Sequence, residues 1–128
     1  MEVKNQQNLL TSSQHFSFNI VHQNITGLKD KHDKLICSLI SFDINLHLIC
    51  ISEHYATEHN LSTISLQNYK LAVNFSGVNY QDGGTCIFIR NDLTYSPLSI
   101  SQSGEEIILE PCALQVSIGE TDIIVLCI

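Results

Sequence analysis

Leu46-His47-Leu48-Ile49-Cys50-Ile51-Ser52-Glu53-His54-Tyr55 is an apolar, partly β-branched run that stops abruptly at a carboxylate. A short apolar run bounded by polar residues reads as a buried strand, and the strand-rich sequence around it favours a strand over a helix. Glu53 then stands at the C-terminal end of that strand, where open α/β sheets build their sites. Taken alone, Glu53 is no more than the first solvated residue after a strand.

The stretch upstream changes its weight. Phe16 to Gln23 reads as a first strand, followed by the polar Asn24 and a turn at Thr26-Gly27. A helix is expected over Lys29 to Phe42, because Leu28, His32, Leu35, Ile36, Leu39 and Ile40 fall on one apolar stripe. His32, at the edge of that stripe, reads as a packed or half-exposed histidine rather than a ligand. Asp43-Ile44-Asn45 is the return loop into the Leu46–Ser52 strand. A strand–helix–strand crossover makes the two strands parallel and brings Asn24 and Glu53 to one edge of the sheet. An amide and a carboxylate placed together suit a hard divalent cation and a phosphate oxygen.

The rest reads as strands joined by short turns, which argues for antiparallel pairing. Strands are expected at Tyr69–Phe75, Gly84–Arg90, Leu93–Ile100, Ile107–Ile118 and Ile123–Ile128, with loops at Ser76–Gly83 and Ser101–Glu106. Pro97 places the Leu93–Ile100 strand near an edge. Gly83-Gly84 suits a close backbone approach or a bulge. His54 to Ser65 is polar and reads as a solvated loop with a short helical turn. Its His54 and His59 do not have the spacing of a zinc-binding helix. The fold class expected is α/β, of the α+β sandwich type: one mixed sheet with a flanking helix.

With 128 residues and 44% hydrophobic content, the chain suffices for one small domain with an aliphatic core, since Trp is absent. Residues 1–15 are polar and read as a disordered lead-in. No apolar run is long enough to span a membrane, and no signal pattern opens the chain. Five cysteines, none in a Cys-x-x-Cys pair, sit among aliphatics and read as reduced, buried thiols rather than a zinc site or a disulfide framework. An intracellular place, cytoplasmic or nuclear, follows. The net charge of −7 runs against an extended grip on nucleic acid, which needs a basic face.

The order and spacing of Gln23–Leu28, Lys31–Ile40, Leu46–Tyr55, Tyr69–Phe75 and Asp82–Arg90 resemble the N-terminal half of the endonuclease/exonuclease/phosphatase superfamily. The nearest flavour is the apurinic-type endonuclease domain of non-LTR retrotransposons. The resemblance implies that residues 16–128 are a partial domain, about half of a four-layer sandwich of two packed sheets. It implies Mg²⁺ or Mn²⁺ as cofactor and DNA as the partner of the full-length parent. Glu53 matches the family's metal-binding glutamate, and Asn24 the asparagine that orients the phosphate or the nucleophile. Thr26 stands where some relatives carry an acidic residue. The family's later tyrosine, its Asp-x-Asn motif and its Asp-His pair have no counterpart in these residues. The isolated chain is therefore expected to be the inactive N-terminal fragment of a metal-dependent DNA endonuclease, and to self-associate through an exposed apolar sheet face. A small non-catalytic α/β interaction module and a non-functional remnant are the alternatives.

Overall fold

The computed structural model describes residues 17–41, 45–76, 83–100 and 110–128. The expected lead-in over 1–15, most of the return loop at 43–45 and most of the loops at 76–83 and 101–106 lie outside the described residues. In chain order the elements are β1 (Ile20–Asn24), α1 (Leu28–Ser41), β2 (Leu48–Ser52), α2 (Glu58–Ser62), β3 (Tyr69–Phe75), β4 (Thr85–Arg90), β5 (Thr94–Leu98), β6 (Cys112–Ile118) and β7 (Thr121–Cys127).

All five residues of β2 are buried, the four apolar ones Leu48 to Ile51 and the polar Ser52 that ends the strand. β2 pairs in parallel with β1 and antiparallel with β4, and β3 closes the other edge of β4. Side chains alternate across this mixed sheet. Ile49, Ile51, Cys86 and Phe88 join Leu28 and Leu35 of α1 in one core. Leu48, Cys50, Ile87 and Ile89 form a second core with Cys112, Leu114, Val116, Val125 and Cys127. The second core is the interior of a sandwich, because β5, β6 and β7 form a separate antiparallel sheet. The chain is thus of the α+β class: a helix, a mixed sheet and an antiparallel sheet in three layers.

The division into two sheets corrects the expectation of a single one. A short turn leads from β4 to β5, yet the two do not pair. Both edges of β4 are already taken, by β2 and by β3, so the next strand has to start a new sheet. Pro97 lies on β5, an edge strand of that sheet, where a missing N–H does least harm. Pro111 precedes β6 rather than lying inside it. β1 begins later than expected, because Asn19 is tied to the entry of β2 instead. Its N–H donates to His47 Nδ1 at 3.0 Å, and its carbonyl accepts from the His47 N–H at 2.8 Å.

The second sheet covers the first unevenly. β7 lies over β2 and β4, β6 over β4 and β3, and β5 over β3. Most of the inner face expected to stand open is therefore covered. On β1 the same face stays open, with Ile20 43% exposed. The largest exposed apolar side chains of β7, Ile124 at 68% and Leu126 at 52%, are on the outer face of the second sheet. Two further readings are corrected. Ile40 is 78% exposed while its neighbour Leu39 packs on the core, and Cys37 faces solvent while the other four thiols are buried. His32 is half-exposed as read, its Nε2 donating to the Ser65 carbonyl at 2.9 Å. Among the described residues no helix is long and apolar enough to cross a membrane.

His47 gives the fold a pH dependence. It is buried, packs on the Phe18 ring at 5.2 Å between centroids, and uses Nδ1 as an acceptor. Burial, helped by the Arg90 charge, holds its pKa below the ordinary 6.5. The unfolded chain then takes up a proton before the folded one does. The share of stability due to His47 is complete above pH 6.5 and is lost as pH falls from there through the folded-state pKa. Urea unfolding followed from about pH 7.5 to 5 is expected to show that decline. His47→Asn, which keeps an acceptor but does not titrate, is expected to remove part of the slope. An unchanged slope in that variant would contradict the assignment.

Candidate functional site

β1 and β2 end together, with Asn24 opposite Ser52 in the parallel register. Beyond that point the two chains remain stitched. The Ile25 N–H donates to the Ser52 carbonyl at 2.9 Å, Gly27 N–H to the Glu53 carbonyl at 3.2 Å, and Leu28 N–H to the His54 carbonyl at 2.9 Å. On the other flank the His54 N–H donates to the Gly84 carbonyl at 3.3 Å and the Tyr55 N–H to the Gly83 carbonyl at 2.9 Å. The segment after β2 is therefore clamped between the start of α1 and the start of β4.

Inside the clamp the backbone takes an unusual course. Glu53 has φ 54° and Tyr55 φ 53°, both in the left-handed region. For residues with a side chain this costs about 1–2 kcal/mol each, and such conformations persist where the surroundings over-determine them. Neither residue announces a left-handed turn in sequence, as a glycine or asparagine would. Glu53 is half-buried, and its Oε2 lies 3.5 Å from the Thr26 hydroxyl, which points its proton that way. Asn24, one register step before it and opposite Ser52, is exposed. Ser52, on the same face of the sheet as Asn24, has its hydroxyl 3.1 Å from His22 Nε2.

The expectation that His54 is solvated is overturned: it is 1% exposed. Its Nδ1 accepts from the Ala56 N–H at 2.9 Å, so Nε2 carries the proton and donates to the Phe75 carbonyl at 3.0 Å. Burial pulls its pKa below the ordinary value. The imidazole sits where a side chain on Gly84 would lie, and the carboxylate of Glu110 occupies the corresponding place at Gly83 while accepting from the Gly84 N–H. The close backbone approach expected of Gly83-Gly84 thus has two named causes, a histidine ring and a carboxylate. Sequence reading missed both. A polar residue in a polar stretch carries no local sign that a groove left by distant glycines will bury it.

A cleft of about 370 Å³ opens beside Asn24, lined by Gln23, Thr26, Lys31, Lys34 and Ser38 among others. Lys31 and Lys34, three apart on α1, face it together. In a chain with six Lys and Arg in all, two at the rim of one cleft make a local positive patch despite the net charge of −7.

Glu53, Asn24 and Thr26 offer carboxylate, amide and hydroxyl oxygens, all hard donors. Among the described residues no group of three or more His, Cys, Asp or Glu side chains converges as a closed metal cage. The donor set fits Mg²⁺ in the manner of a cation that keeps most of its water and takes one or two carboxylates plus phosphate oxygens. It does not fit zinc, which wants nitrogen or sulfur in fourfold array. The buried thiols lie in the cores, and desolvation pushes the Cys86 thiol up, away from the thiolate that zinc needs. No protein-family model and no curated protein matches this chain.

Proposed function

We propose that these residues form the N-terminal part of a metal-dependent, phosphodiester-cleaving DNA endonuclease site of the kind carried by retrotransposon reverse-transcriptase proteins. One observation carries the reading. A half-buried carboxylate, Glu53, is held in a left-handed turn directly after the fully buried central strand and accepts from Thr26, which with Asn24 lines a lysine-rimmed cleft. A strained residue locked at a strand end is the kind of feature found at functional sites.

In this proposal Glu53 is the carboxylate that would hold Mg²⁺ or Mn²⁺, and the Thr26 hydroxyl orients it. The cation, when bound, supplies Lewis-acid polarisation of the phosphate and stabilises the leaving oxygen. The Asn24 amide donates to a phosphate oxygen and fixes its orientation. Lys31 and Lys34 hold a neighbouring phosphate of the backbone by charge. None of these side chains is suited to activate water as a general base at neutral pH, so the 128-residue chain is not expected to turn over DNA by itself. An intracellular location belongs to the same proposal and accords with thiols that are all free.

The test is an NMR titration of the chain with Mn²⁺. Selective broadening of the Asn24, Thr26 and Glu53 amides is expected, and Glu53→Gln is expected to abolish it. Broadening that survives the substitution would remove Glu53 from the role. In parallel, supercoiled plasmid should stay intact with Mg²⁺, and nicking that disappears in Glu53→Gln would show the site to be complete.

A second reading, a non-catalytic interaction module, is favoured by the exposed Ile124 and Leu126 on the outer face of β7 and by Ile20 on the uncovered face of β1. Apolar surface of this kind promotes association. Sedimentation of the chain is expected to show concentration-dependent self-association that weakens in Ile124→Lys/Leu126→Lys. A monodisperse monomer at high concentration would rule it out.

A further inference from the structure

The geometry points to His54 as the positioning residue that holds Glu53 in its left-handed turn and so sets where the Glu53 carboxylate stands. Glu53 and Tyr55, both with positive φ, flank it on either side. Every polar group of His54 is engaged, and each is tied to a different part of the fold. Its N–H reaches the Gly84 carbonyl ahead of β4, and its carbonyl accepts from Leu28 at the start of α1. Nδ1 closes the turn by accepting from the Ala56 N–H at 2.9 Å, while the proton on Nε2 reaches the end of β3 at Phe75, 3.0 Å away. Its ring fills the space that Gly84 leaves free. Left-handed residues without glycine persist only where the surroundings over-determine them, and His54 supplies that determination from inside the turn.

The same geometry removes His54 from the list of metal ligands. An imidazole with one nitrogen accepting from the backbone and the other protonated has no lone pair to give. His54 therefore acts on the site only through Glu53. That Glu53 has a metal to hold rests on the function proposed above; that His54 holds Glu53 does not.

Three variants of the 128-residue chain separate the contributions. His54→Phe keeps the ring volume and drops both side-chain hydrogen bonds. His54→Asn keeps an acceptor near Nδ1. His54→Gln keeps a donor near Nε2 and drops the acceptor. The first readout is the intraresidue HN–Hα cross-peak of Glu53 and Tyr55, which is strong only at positive φ and needs neither metal nor DNA. Both peaks are expected in the wild type, retained in His54→Asn and lost in His54→Phe while the β2 and β4 resonances stay in place. Should His54→Phe fail to fold, the comparison of His54→Asn with His54→Gln decides, with the peaks expected to weaken in the latter. The second readout is Mn²⁺ affinity, expected to fall by about tenfold when the turn is lost, the range seen for groups that support a metal ligand. A folded His54→Phe, or a His54→Gln, that keeps both cross-peaks overturns the proposal. A wild type with no Mn²⁺ response, whose cross-peaks still vanish in His54→Phe, upholds the positioning role and overturns the metal reading instead.

Discussion

Gly84→Ala is expected to destabilise the domain by about 2–5 kcal/mol, enough to threaten folding of a chain whose total stability lies in the range of about 5–15 kcal/mol. Two costs combine. Gly84 has φ +87°, a conformation that costs a residue with a side chain about 1–2 kcal/mol. The added methyl would also land on the His54 ring, which is itself pinned by the Ala56 and Phe75 hydrogen bonds and cannot swing away without losing them. Overpacking of that kind costs about 1–3 kcal/mol more. Gly27 is the control, because its φ is +84° but nothing lies within 4 Å of an added Cβ. Gly27→Ala is expected to lose the conformational share alone. Urea unfolding of both variants separates the terms, and equal losses would mean that the ring gives way. The double variant Gly84→Ala/His54→Ala should regain the steric share and leave the Glu53 turn unsupported.

Phe88→Ala is expected to cost about 3–5 kcal/mol, the range for deleting a buried aromatic ring from a packed core. Phe88 is 1% exposed and faces α1 from the middle of β4, between Ile49 of β2 and Leu71 of β3 in register. Its ring is therefore shared by three strands and the helix that covers them, and no neighbour can fill the hole without moving the sheet. The loss would loosen α1 against the sheet, and with it the placement of Lys31 and Lys34 beside Asn24. Ile124→Ala on the outer face of β7 is the contrast, expected within about 0.5 kcal/mol of the wild type because the side chain is 68% exposed. A Phe88→Ala variant as stable as Ile124→Ala would contradict the layering described above.

These expectations differ in how far they could be foreseen. The Phe88 core was open to reading, because period-two alternation in β4 and the helical stripe in α1 are local patterns. So was the meeting of Asn24 and Glu53, since a strand–helix–strand unit with a short crossover leaves little choice of topology. The clash at Gly84 was not. It needs His54 to be buried, and burial of a histidine in a polar stretch depends on carbonyls and glycines that lie 21 and 30 residues away along the chain.

From the sequence alone came the buried central strand, the helix that crosses over it, the parallel pairing of β1 with β2, and Asn24 and Glu53 at one sheet edge. Each is dictated by hydrophobic period and chain connectivity, which act over a few residues at a time. The tertiary structure alone decided that the later strands form a second sheet, since only the occupancy of both edges of β4 forbids β5 to join the first. It alone decided that Glu53 and Tyr55 turn left-handed around a buried His54. No local preference favours that turn. It exists because hydrogen bonds to α1, β3 and β4 together outweigh the strain, and those partners meet only when the chain has folded.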